Sequence, residues 1–97
     1  MRQYYANVEN KLKEIFSEHC DLGALQYDEL FGMFLYLEAD IQEEEPIKEI
    51  EQRQMGILAV VDFLEKTEAI TMKEYGALIE FAGEMLGAAY KLEEDRA

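Results

Sequence analysis

Residues 55–64 read Met-Gly-Ile-Leu-Ala-Val-Val-Asp-Phe-Leu, a run of eight apolar residues, one glycine and one acid. An α-helix turns by about 100° per residue, so the apolar side chains of such a run point in every direction around the helix axis. A helix that is apolar on all sides has to be buried. We therefore expect this segment to lie in the third of four helices, at the centre of the fold, with the other helices packed around it.

Apolar residues recur at helical spacing in the rest of the chain, which predicts an all-α, four-helix bundle-like domain built from two helical hairpins. Pro46 is expected at the start of the third helix, because proline is tolerated in the first turn of a helix. Thr71 and Glu74 form a capping box, which predicts that the fourth helix starts there. Gly23 is expected to end the first helix in the left-handed conformation. The predicted helices cover about residues 3–18, 26–42, 46–66 and 72–94.

Length and composition indicate one domain, residues 1–97, with no covalent cross-link. A chain of 97 residues is large enough for a single hydrophobic core. Its one cysteine allows no intramolecular disulfide, which fits a reducing compartment. No stretch has the apolar length of a signal peptide core or of a membrane span. The sequence therefore predicts a cytoplasmic protein.

Negative charge is the strongest functional signal in the composition. Twenty-two acidic residues against nine basic ones give a formal charge of −13 at pH 7. A field of that sign repels nucleic-acid phosphates and anionic lipids, so we expect no direct binding to nucleic acid or to a membrane. It attracts basic proteins, including those that bind nucleic acid, although solubility alone is an alternative explanation. Residues 25–54 hold nine acids and two bases, a charge of −7.

The outward side of the second predicted helix carries a stripe of polar residues. Spacings of i, i+7, i+11 and i+14 place four of them on one face: Glu29, Tyr36, Asp40 and Glu43. An exposed tyrosine among acids suits an Arg- and Lys-rich partner, because aromatic residues are enriched in interface hot spots and charge steers the encounter. A solvated helix face is the alternative. The predicted partner-binding residues are Asp28, Glu29, Tyr36, Asp40, Glu43, Glu44, Glu45 and Glu49.

No pattern of catalytic or metal-binding residues stands out. His19 and Cys20 are the only residues of their types, and adjacent helical residues point about 100° apart, so they cannot converge on one substrate. We interpret both as structural. Glu38 is expected to reach solvent near a helix end, and Asp62, on an apolar side, to pair with His19, Arg53 or a tyrosine hydroxyl. The sequence predicts no enzyme, no cofactor and no metal.

The fourth predicted helix is apolar over about half of its circumference, which is more than one face of a bundle needs. It also carries three of the five helical glycines, each of which costs up to about 1 kcal/mol relative to alanine. Close approach of another helix would offset that cost, so we expect the glycines to face a partner helix. The candidate dimer face consists of Gly83, Leu86, Gly87 and Tyr90.

These features favour a non-enzymatic protein-binding module. We interpret it as an inhibitor or regulator that docks its acidic face on a basic, nucleic-acid-binding protein, in the manner of anti-CRISPR and DNA-mimic proteins. The chain is similar to those proteins in charge and size, not in any motif. The alternative is a structural or regulatory homodimer without a nucleic-acid-related partner, which uses the surplus apolar arc of the fourth helix.

Overall fold

The computed structural model describes residues 2–16 and 22–96, together with the side chains of residues 6–16 and 22–95. Over these residues the chain forms four helices and no strand: α1 (Arg2–Ile15), α2 (Ala24–Gln42), α3 (Ile47–Lys66) and α4 (Met72–Arg96). The all-α prediction is confirmed, and the predicted boundaries of α2 and α3 agree with the structure to within two residues. None of the helices, as far as they are described, combines the length and the apolar content that crossing a bilayer requires.

The helices form two pairs of sequence neighbours, α1 with α2 and α3 with α4. Within each pair the two helices run antiparallel. The most extensive packing joins α3 to α4, and α3 also packs along α2. α4 additionally contacts α2 and α1. This arrangement confirms a helical bundle in which α3 lies between its two sequence neighbours.

The core draws on all four helices and on one residue of the last link, Ile70. Phe34 of α2 is its largest fully buried side chain. The Phe34 ring stacks on the ring of Phe81 from α4, with 4.9 Å between the ring centres. The buried apolar residues on the helices, and Phe16 directly after α1, are Val8, Leu12, Phe16, Leu30, Phe34, Leu37, Ile41, Ile50, Ile57, Val61, Leu64, Leu78, Ala82, Met85 and Ala89.

The prediction that residues 55–64 are buried on all sides is wrong. Ile57, Val61 and Leu64 are buried, but the side chains of Met55 and Phe63 are 66% and 63% exposed. The physical reason is that α3 has neighbours on only part of its circumference. The helix is central in the packing order, yet one apolar side of it faces outward.

Local hydrogen bonds explain where α2 and α4 begin. The Gly23 amide donates to Oε1 of Gln26 at 3.0 Å, and Gly23 has φ −69° and ψ 160°. Gly23 therefore caps the start of α2, and the prediction that it is a left-handed stop for α1 is wrong. The predicted capping box of α4 is confirmed, because the Thr71 amide donates to Glu74 Oε1 at 2.8 Å and the Glu74 amide to Thr71 Oγ1 at 3.1 Å.

The ends of α2 and α3 share one turn geometry. Glu44 and Glu68 are the two non-glycine residues with positive φ among those described, at 57° and 61°. After each of them a backbone amide reaches back to the last helical turn. The Glu45 amide donates to the Asp40 carbonyl at 3.0 Å, and the Ala69 amide donates to the Leu64 carbonyl at 2.8 Å. This six-residue closure is that of a Schellman motif, in which glycine usually holds the left-handed position.

Candidate protein-docking surface

Tyr36 lies on the side of α2 that faces α3, and its side chain is 63% exposed. The guanidinium of Arg53, from α3, sits over the Tyr36 ring. Arg53 Nε also donates to a carboxylate oxygen of Asp40, one turn beyond Tyr36 on α2. Only 17% of the Asp40 side chain is exposed. Tyr36, Asp40 and Arg53 thus form one cluster across the two helices.

A shallow depression adjoins this cluster at the turn between α2 and α3. We call it the acidic depression. It is lined by Asp40, Glu45, Glu49, Gln52 and Arg53. Pro46 starts the turn into α3, so Glu45 and Glu49 come from either side of the helix start. The positive end of the α3 dipole favours carboxylates at this place. Three acids against one base leave the depression negative.

The remaining predicted partner-binding residues are divided between two sides of α2. Glu29 shares the α3 side with Tyr36 and Asp40, because spacings of seven and eleven residues return to the same face. Glu43 and Glu44 are exposed at the end of α2. Asp28 lines a different depression, between α2 and Glu9 and Lys13 of α1. The structure therefore brings most of the predicted stripe together and separates Asp28 from it.

An apolar groove at the other end of the α2–α3 face is a feature that the sequence reasoning missed. Its apolar lining comes from Leu30 of α2 and from Ala59, Val60, Phe63 and Leu64 of α3, and Gln26 and Glu29 of α2 also line it. We call this feature the apolar groove. The sequence did contain a pattern that indicates this groove. Residues 55–64 are apolar on all sides, so some of their side chains have to face outward when neighbouring helices cover only part of α3.

Glu38 and Asp62, the two candidate acids outside the stripe, each form a hydrogen bond or an ion pair with a neighbouring side chain. Burial raises the pKa of Glu38, and a hydrogen bond with Gln42 partly opposes this effect. Asp62 accepts from the Tyr75 hydroxyl at 3.1 Å and pairs with Lys66 at 3.0 Å. The bond from Lys66, and then that from Tyr75, lowers the pKa of Asp62. A tyrosine hydroxyl was one of its three predicted partners.

Asp62 is 44% exposed, so its predicted position on a buried side is wrong. The predicted alternative partner Arg53 instead contacts Tyr36 and Asp40. His19 and Cys20 lie outside the described residues.

The candidate dimer face is open surface on α4. Gly83 and Gly87 are exposed, and a Cβ atom built on either would have no neighbouring atom within 4 Å. Leu86 is partly buried against the core. Tyr90 is 43% exposed, and its hydroxyl donates to Glu51 of α3. The expected close approach of another helix at these glycines is therefore not made within the described part of the chain.

Chemically, the α2–α3 face offers carboxylates, one aromatic ring and apolar side chains, which together suit cationic and amphipathic protein groups. Among the residues that the structure describes, no three His, Cys, Asp or Glu side chains converge as metal ligands would.

Comparisons of this chain with models of known protein families, with curated proteins and with solved structures found no match.

Proposed function

We propose that this protein is a non-enzymatic binding module that docks the acidic face of α2 and the start of α3 on a basic protein. The partner is a nucleic-acid-binding protein, and docking inhibits or regulates it by presenting carboxylates where phosphates would bind. The observation that carries the proposal is the exposed Tyr36 beside the acidic depression of Asp40, Glu45 and Glu49.

The geometry supports this proposal because the aromatic residue and the acids share one surface. Tyr36 presents more than half of its side chain, so a partner can bury it, and buried aromatic residues contribute strongly to protein interfaces. The chain's own Arg53 holds a guanidinium over the Tyr36 ring, a contact of the kind that we propose for an arginine of the partner. A partner's arginine would meet the same kind of environment in the acidic depression.

The total charge supports the same class of partner. At −13, the molecule attracts positively charged surfaces over distances of about a Debye length, and salt screens this attraction. The long-range field and the local site therefore favour the same ligand chemistry. A partner whose groove is built for nucleic acid presents the required concentration of Lys and Arg.

The proposal is tested by affinity capture from the source cells with a face variant and a matched control. The face variant carries Tyr36→Ala and Glu49→Lys, which leave the Arg53–Asp40 pair in place. The control carries Met72→Ala and Glu80→Lys, the same types of change at exposed positions of α4. The wild type and the control should capture a basic nucleic-acid-binding protein, and the face variant should lose it.

Two further measurements make the test specific. Rising salt should weaken the interaction, and duplex DNA or RNA should compete with it if the acidic face occupies the nucleic-acid groove. Circular dichroism should show that both variants keep the wild-type helix content. Capture that is equal for the face variant and the control, or that is indifferent to salt, would overturn the proposal.

The homodimer remains the second candidate, and one observation favours it. Gly83 and Gly87 leave an uncovered strip on α4, beside the partly exposed Tyr90. A second copy could approach this strip closely. Light scattering at micromolar concentration should then give twice the mass of an 11.3 kDa chain, and a monomer mass would rule the dimer out.

A further inference from the structure

The apolar groove lies between the beginning of α2 and the end of α3 and measures about 340 Å³. Phe63, on its wall, is 63% exposed, and Leu25, at the start of α2, is 85% exposed. Single exposed apolar residues are normal on protein surfaces. Here the exposed ring of Phe63 borders a concave site with Ala59 and Val60, which gives an incoming apolar side chain contacts on several sides.

The groove and the acidic depression are two ends of one surface. Glu29 lines the groove and Asp40 lines the depression, and both lie on the α3 side of α2 with Tyr36 between them. Eleven residues separate Glu29 from Asp40, which corresponds to about 16 Å along a helix. A single helical segment of about three turns could therefore reach both ends.

Charge decides which kind of segment fits this surface. A second copy of the chain would bring another charge of −13 against the acidic end, and an anionic lipid surface would also be repelled. A purely apolar segment would leave the acidic depression without a complement. The surface matches a segment that is apolar at one end and cationic at the other.

We propose that the α2–α3 face binds a basic amphipathic helix of the partner protein. A large apolar side chain of that helix enters the groove at Phe63, and its Lys or Arg side chains, about three turns away, reach the acidic depression. This inference rests on the proposed function and makes it more specific, because it states the shape and the sequence pattern of the partner segment.

Synthetic fluorescent helical peptides test this inference with the full-length chain. One peptide carries leucines at one end and lysines about three turns away, a second has serines in place of the leucines, and both are also made in the reversed direction. Binding is followed by fluorescence anisotropy. The leucine peptide should bind more tightly than the serine peptide in at least one direction. Phe63→Ser should weaken only the leucine peptide, by about tenfold or more, the effect of losing one buried large apolar side chain.

Met72→Ser is the matched control, because Met72 is 70% exposed but lies on α4. It should leave both affinities unchanged. Glu49→Gln and rising salt should weaken both peptides, since they act on the cationic end. Equal binding of the leucine and serine peptides, or equal effects of Phe63→Ser and Met72→Ser, would overturn the role of the groove.

Failure of this inference can be told apart from failure of the proposed function. Binding that depends on Glu49 and salt but not on Phe63 would overturn the groove and support acidic docking. Binding that depends on Phe63 but not on Glu49 or salt would overturn the basic helix and the proposed function together. No binding of any peptide would overturn the inference and leave the decision on the proposed function to the capture experiment.

Discussion

The guanidinium carbon of Arg53 lies 5.5 Å from the centre of the Tyr36 ring. The same side chain donates to Asp40, so one arginine from α3 covers two residues of the proposed docking surface on α2. Cation–π contacts at exposed sites contribute about 0.5–1 kcal/mol. Arg53 thus joins the two helices at the surface and partly neutralises the acids that a basic partner would meet.

Replacing Arg53 should therefore strengthen binding to cationic ligands. In Arg53→Gln the acidic depression loses its positive charge, and we expect affinity for the lysine-containing peptides to rise about fivefold, corresponding to about 1 kcal/mol for one charge a few ångströms away. Anisotropy titrations measure the change. Arg53→Lys, which keeps the charge, should bind like the wild type; equal affinities for the Gln variant and the wild type would contradict the assigned role of Arg53.

Glu68 has a left-handed backbone conformation, and replacing it with glycine should stabilise the protein. A non-glycine residue is strained at φ 61° and glycine is not, so Glu68→Gly should raise the free energy of unfolding by about 0.5–1 kcal/mol. Urea unfolding measures this difference. Glu68→Ala controls for the lost charge and should give no comparable gain, because alanine is strained there too. A stabilisation of equal size in both variants would show that charge, not backbone conformation, is responsible.

Glycine-to-alanine substitution on α4 distinguishes a bare helix face from a dimer face. Among the residues that the structure describes, no atom lies within 4 Å of a Cβ added at Gly83, so we expect Gly83→Ala in the monomer to raise the free energy of unfolding by about 0.5–1 kcal/mol. Gly32→Ala on α2, which is equally open, should behave alike. If a second copy packs on α4, only Gly83→Ala should reduce the mass seen in light scattering and lose stability.

Ionisation of Glu38 should lower the free energy of unfolding as pH rises from acid toward neutral. Burial raises its pKa above 4.5, so the folded state binds the Glu38 proton more tightly than the unfolded state does. The resulting stabilisation is complete below pH 4.5 and is lost as pH rises through the folded-state pKa. Glu38→Gln should flatten this part of the pH profile of urea unfolding, whereas Glu84→Gln, on the exposed side of α4, should not. A profile unchanged by Glu38→Gln would contradict this expectation.

Periodicity and capping rules were sufficient to predict the four helices. Thr71 and Glu74 mark the start of α4 through contacts that are local in sequence, so the sequence contains all the information needed. The exposure of Tyr36 was also predictable, because it depends on which side of α2 carries the apolar residues. These features need no knowledge of how the helices are arranged relative to one another.

Contacts between helices were harder to predict, because they depend on the register of one helix against the next. Pairing of Arg53 with Asp62 is excluded by helix geometry alone, because nine residues along α3 correspond to about 13 Å and to opposite sides of the helix. The contact that Arg53 makes with Asp40 depends instead on how α3 packs on α2. The outward position of Phe63 follows from the same cause. A hydropathy pattern identifies the apolar residues of a helix. It does not indicate how much of that helix the neighbouring helices cover.

The outward glycines of α4 also bear on how the bundle assembles. Gly76, Gly83 and Gly87 lower the intrinsic tendency of this segment to be helical, and among the described residues a Cβ atom added at any of them would meet no atom within 4 Å. In proteins, most helical stability comes from the packing of a helix on its neighbours and not from its intrinsic propensity. A peptide spanning residues 72–96 should consequently be disordered by itself, so that α4 acquires its shape only as it meets the other three helices, in a single cooperative folding step.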